Sequence, residues 1–102
     1  MAWDVAVDIS RQTMSISGEL TIFSAQDIHL RLCETLKAVD ELSVDLGKVV
    51  EIDTAGLQLM LLAKRRPHRV VRFCNHSDEV LRLVDLANIG RTLGDPLVLK
   101  AQ

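Results

Sequence analysis

A chain of 102 residues makes one domain, here residues 1–102, and a domain of this size buries about 60–70% of the surface its unfolded form exposes. Its 14 acidic and 12 basic side chains leave a formal charge of −2, and Trp3, Phe23 and Phe73 are its only aromatics. This lacks both the electrostatic attraction and the stacking platforms that single-stranded nucleic acid needs, so no nucleic-acid partner is expected.

Cys33 and Cys74 show no Cys-x-x-Cys pair and no histidine at ligand spacing, so neither a redox motif nor a metal site is expected, and both read as buried thiols. The start Met1-Ala-Trp-Asp-Val lacks the pattern of a signal peptide. No stretch approaches the ~20 apolar residues that span a bilayer, so a soluble cytoplasmic protein without membrane insertion is the expectation.

Trp3, Val5, Val7 and Ile9 alternate with Asp4, Ala6 and Asp8, the period of a strand with one buried face. Arg11-Gln12 makes a turn, and a return strand runs through Met14 and Ile16, passes Gly18, where a bulge or close packing is expected, and resumes through Leu20 and Ile22. From Ser24, read as an N-cap, the period lengthens: Ile28, Leu32, Leu36 and Val39 recur at helical spacing. Leu42, Val44 and Leu46 form the next strand, with Val49 and Val50 as its exit.

Leu57, Met60, Leu61 and Lys64 mark a helix from about Thr54 to Arg66, stopped by Pro67. Val70, Val71 and Phe73 make another short strand. Ser77-Asp78-Glu79 supplies a capping hydroxyl and two carboxylates at the start of a third helix, whose buried stripe is Val80, Leu83, Val84 and Ala87. Gly90 ends that helix, and Leu97-Val98-Leu99 reads as a final strand. The order ββαβαβαβ predicts an α/β domain with a mixed, mostly parallel sheet after an opening hairpin.

The junction between the third strand and the second helix carries the chemistry. Asp45-Leu46-Gly47 is followed by Asp53-Thr54-Ala55-Gly56-Leu57, which sets a hydroxyl beside a carboxylate at a helix start. This pattern resembles the STAS family, the sulfate-transporter and anti-sigma-factor-antagonist domain, where a strand ending in Asp-Leu-Ser leads to Asp-Ser-Ser-Gly-Leu. Gly18-Glu19-Leu20-Thr21-Ile22-Phe23-Ser24-Ala25 is similar to the family's second strand and first helix start. Thr54 stands where the phosphorylated serine usually does, and Ala55 where a second serine is common.

The resemblance implies a non-enzymatic regulatory protein, anti-sigma-factor antagonist-like or chemotaxis-linked. Its partner surface would comprise Asp53, Thr54, Ala55, Gly56 and Gln58, with phosphorylation at Thr54. The partners implied are an anti-sigma factor, a serine kinase or a phosphatase. The alternative is a cytoplasmic STAS subunit of a phospholipid-trafficking ABC transporter that docks on its ATPase.

Each residue also has a plainer structural role. A threonine or aspartate at a helix start can serve only as a cap, worth about 1 kcal/mol, and Gly56 can serve only close packing. Lys64, Arg65, Arg66, His68 and Arg69 form the one basic run, which either draws an acidic partner or complements a helix C-terminus. His29 and His76 read as surface residues. Asp53 and Thr54 lack a third member for nucleophilic catalysis, no glycine-rich phosphate loop or metal-ligand set is visible, and no enzymatic activity or cofactor is expected.

Overall fold

The fold follows from the points where the side-chain period changes from two to nearly four. The computed structural model describes residues 2–87. β1 (Trp3–Asp8) and β2 (Thr13–Leu20) form the hairpin, followed by α1 (Ala25–Ala38), β3 (Glu41–Ile52), α2 (Thr54–Lys64), β4 (Val70–Cys74) and α3 (Asp78–Ala87). The expected helix end at Gly90 and the strand at Leu97-Val98-Leu99 lie outside the described residues.

The sheet order is β1-β2-β3-β4, with β1 antiparallel to β2 and both later pairings parallel. The β2–α1–β3 and β3–α2–β4 crossovers step the same way across the sheet, which puts α1 and α2 on one face, where they pack on each other, while α3 packs on β3. Ile28, Leu32 and Leu36 of α1 are buried to within 1% of their surface against Ile16, Leu20 and Val44 of the sheet core, as the helical spacing predicts.

Several elements depart from their sequence pattern. Val5 is buried, but Val7 and Ile9 are exposed, because β1 is the edge of the sheet and ends before a turn in which the Gln12 amide donates to the Ile9 carbonyl. Burial along β3 follows Leu42, Val44 and Leu46, then shifts phase to Val49. The shift is a bulge: Ser15 pairs with Asp45 but Ser17 pairs with Lys48, so β3 carries an extra residue. Asp45 holds this bulge, its Oδ1 accepting from the Gly47 amide at 2.7 Å and from Asn75 Nδ2 at 3.2 Å.

A second irregularity follows Gly18, whose φ of +83° favours glycine and whose Cβ position would collide with the Ala2 carbonyl. In α3 the buried residues are Val80, Leu81 and Val84, Leu83 is half-buried, and Ala87 is exposed. The Ser77 hydroxyl does accept from the Val80 amide, at 3.3 Å.

Parallel pairing of β2 with β3 has one consequence for function. Leu20 and Ile52 are register partners, so both strands end at the same edge of the sheet, the side on which open α/β folds present their binding sites.

Candidate functional site

At that edge β3 ends on Asp53, whose backbone is extended (φ −126°, ψ −172°) before Thr54 opens α2. Asp53, not Thr54, is the cap. Its Oδ1 accepts from the Ala55 amide at 2.9 Å and the Gly56 amide at 3.2 Å, while Oδ2 accepts from the Ile22 amide at 3.0 Å across the sheet edge. One carboxylate thus satisfies two amides of the helix start and pins the β2–α1 loop beside it. Thr54 is the first residue of the helix and is exposed, so its hydroxyl does not serve as the cap.

The loop itself is built from hydroxyls. Ser24, expected to cap α1, instead turns its Oγ back: it donates to the Glu19 carbonyl at 2.7 Å and accepts from the Thr21 amide at 3.0 Å. Thr21 Oγ1 accepts from the Phe23 amide at 3.3 Å. With Thr21 and Ser24 buried as anchors, the two residues between them are turned outward. Ile22 is 70% exposed, where the sequence pattern placed it in a strand, and Phe23 is 92% exposed.

A groove of ≈ 310 Å³ runs from this loop between α1 and α2, lined by Ile22, Ala25, Gln26 and His29 on one wall and Ala55, Gln58, Leu59 and Leu62 on the other. Leu62 is 56% exposed. Of the large apolar side chains that line it, Ile22 and Leu62 are exposed and Leu59 is buried.

These observations place a hydroxyl on a capped helix start at the carboxyl edge of a mixed sheet, and the family described as Mlab, STAS domain matches residues 4–99. The chain belongs to the STAS family. No curated protein sequence matches it. It is similar in fold to a solved structure of the anti-sigma factor antagonist SpoIIAA in its unphosphorylated form, with 20% identity, a TM-score of 0.68, and coverage of 88% of this chain and 84% of that chain.

In this STAS domain the five residues of the expected partner surface divide. Thr54 and Gln58 are exposed, Asp53 and Ala55 half-buried, and Gly56 is buried. A Cβ on Gly56 would meet the Leu20 carbonyl, with Ile52 Cγ1 at 2.8 Å and Leu20 Cγ at 3.0 Å, so this glycine lets α2 begin flush against the sheet and presents little to a partner. Ile22, Phe23, Gln26, His29 and Leu62, which sequence reading did not assign to the site, stand around it. The one signal, for Ile22 and Phe23, was an apolar pair caught between the hydroxyls Thr21 and Ser24.

The basic run of the STAS domain is largely turned inward. Lys64 Nζ donates to the Val71 carbonyl at 2.8 Å and lies 6.0 Å from the Phe73 ring centre. Arg69 Nε donates to the Leu36 carbonyl at 2.7 Å, and Arg66 Nη1 reaches Cys33 Sγ at 3.3 Å. These cations tie the α2–β4 segment to its neighbours, and only Arg65 and His68 of the run are exposed.

His76 is buried and His29 half-buried, against the surface position expected for both. Cys33 is half-buried and Cys74 exposed, against two buried thiols. His29 and Cys33 are also one helical turn apart, with Nε2 3.6 Å from Sγ, against the expectation of no histidine at ligand spacing.

Near the site, Glu19 and Glu51 are register partners on β2 and β3. A hydrogen bond to Glu51, then burial and the Glu51 charge, hold the Glu19 carboxyl above its ordinary value. Among the described residues no cluster of three or more metal-ligating side chains occurs, and no helix is long and apolar enough to cross a membrane.

Proposed function

We propose that this STAS domain is a non-enzymatic regulatory protein of the cytoplasm that binds a protein partner through the Asp53–Thr54 helix start and the adjoining α1–α2 groove. In this reading phosphorylation of Thr54 releases the partner. The observation that carries it is the division of labour at the helix start: Asp53 takes the structural role, which leaves an exposed hydroxyl on Thr54 beside a groove with apolar walls. Ile22, Phe23 and Leu62 supply the apolar contacts and Gln58 a polar one, and the occupant is an anti-sigma factor or serine kinase, with a phosphatase restoring the hydroxyl.

The physics of the switch is asymmetric. A phosphate brings about −1.5 to −2 charges, which the amides and dipole of a helix N-terminus favour, so the fold accepts it. A partner surface matched to Phe23 and Leu62 must desolvate the same charge, and that cost falls on binding.

Phe23→Ser and Leu62→Ser test the surface, since both side chains already lie largely in water. Each should weaken binding to a partner kinase or anti-sigma factor by tenfold or more, with an unchanged melting temperature. Wild-type affinity in both variants would remove the groove from the interface.

The apolar extent of this surface also favours a second reading, docking on the ATPase of a phospholipid-trafficking ABC transporter, because permanent interfaces are more apolar than transient ones. In that case the Thr54 hydroxyl makes a direct contact and is not a phosphate acceptor.

A further inference from the structure

On the flank of α1, three side chains of different chemistry meet at one sulfur. His29 and Cys33 lie one turn apart, and the segment following α2 brings Arg66 across to them. Arg66 Nη1 donates to Cys33 Sγ at 3.3 Å, and His29 Nε2 lies 3.6 Å from the same sulfur. All three residues are half-buried.

The arrangement is not what packing alone would select. A neutral thiol is a weak acceptor, and ordering an arginine side chain costs up to about 2 kcal/mol of rotamer entropy. A guanidinium and an imidazole gathered on a sulfur are the groups that support thiol chemistry.

We propose that Cys33 is a modification site, a thiol that reacts with hydrogen peroxide, with Arg66 and His29 as the groups that promote the reaction. The sulfur electron pair attacks one peroxide oxygen, the S–O bond forms as the O–O bond breaks, and the second oxygen departs. Sulfur is oxidised by two electrons to a sulfenic acid and the peroxide is reduced to water. The thiol proton passes to His29 Nε2 and then to the departing hydroxide, so one thiol and one peroxide give one sulfenic acid and one water. Arg66 stabilises the negative charge as it moves from sulfur to the leaving oxygen. The sulfenic acid is returned to the thiol by a small-molecule thiol through a mixed disulfide.

Accessibility alone predicts the opposite order of reaction, since Cys74 is the exposed cysteine. The full-length chain is treated with hydrogen peroxide, sulfenic acid is trapped with dimedone, and the labelled peptides are resolved by mass. Cys33 should label about tenfold or more faster than Cys74, the rate equivalent of about 1.4 kcal/mol.

Arg66→Gln and His29→Gln in a Cys74→Ser background then separate promotion from shielding, because removing a shield raises the rate and removing a promoter lowers it. Both variants should lower the rate about tenfold, with Arg66→Lys recovering part of the loss and thermal melts reporting the fold. If Arg66→Gln does not fold, His29→Gln decides alone. Faster labelling of Cys74, or an unchanged or raised Cys33 rate in the folded variants, would overturn the assignment.

Discussion

Replacing Asp53 with alanine removes a carboxylate that three backbone amides share. Loss of the bonds to Ala55 and Gly56 (2.9 and 3.2 Å) is the loss of an N-cap, about 1 kcal/mol. Removing the negative charge from the helix start costs about 0.3–1 kcal/mol more. The third bond, from Ile22 at 3.0 Å, lies at an exposed position where water takes the place of the carboxylate, so it adds little.

The sum is about 1.3–2 kcal/mol, and a domain of this size loses about 4–8 °C of melting temperature per kcal/mol, so Asp53→Ala should melt about 5–16 °C below wild type. Asp53→Asn separates the contributions, because asparagine caps as well as aspartate and keeps the Oδ1 acceptor. It should lose about a quarter to a half as much. Circular dichroism melts and urea titrations supply the stabilities, and hydrogen exchange should show the Ile22 amide accelerated in both variants. A melting temperature for Asp53→Ala within about 1 °C of wild type would refute the capping geometry, and equal losses in the two variants would place the effect in the charge alone.

Three further outcomes follow from the same geometry. Gly56→Ala should cost about 1–3 kcal/mol or more in urea unfolding, since the new methyl meets the Leu20 carbonyl and the Ile52 side chain. Ser24→Ala strips the buried Thr21 amide of its acceptor and should cost about 1–3 kcal/mol, while a neutral result would mean that the loop satisfies itself by other bonds. Glu51→Gln should raise the melting temperature at pH 7. The Glu19 carboxyl sits above its ordinary value in the folded state, so its favourable contribution is present below the unfolded carboxyl value and lost as pH rises through the folded one. The gain should therefore close as melts are repeated below about pH 4, and a gain independent of pH would show that the two carboxylates do not interact.

What the sequence made legible is what a single side-chain period encodes. Ile28, Leu32 and Leu36 announce the buried stripe of α1, and the change of period at Ser24 and again at Thr54 places the helices and, through them, the parallel order of the sheet. The position of Asp53-Thr54 was equally open, because a carboxylate and a hydroxyl after an apolar strand have few other roles.

Features made by tertiary contact were not legible. The β3 bulge depends on Asn75 reaching back to Asp45, which leaves no mark on the local pattern of β3. Ser24 is a good cap by type, yet the Glu19 carbonyl and Thr21 amide are better partners once β2 ends where it does. Ile22 reads as strand until Asp53 claims its amide, and the charge of Lys64, Arg66 and Arg69 says nothing of the carbonyls and sulfur they reach.

The most direct measurement of the proposed function is a calorimetric titration of wild type, Thr54→Ala and Thr54→Glu against a partner kinase or anti-sigma factor, with thermal melts alongside. An unpaired charge buried at an interface costs about 2–5 kcal/mol, so Thr54→Glu should weaken binding by about 30-fold or more. Its stability should change by less than about 1 kcal/mol, given the favourable helix dipole. Thr54→Ala should keep its affinity and lose all phosphorylation by the kinase. Equal affinity for all three proteins would contradict the switch, and loss of binding in Thr54→Ala as well would transfer the hydroxyl to the direct contact expected of a subunit docked on an ATPase.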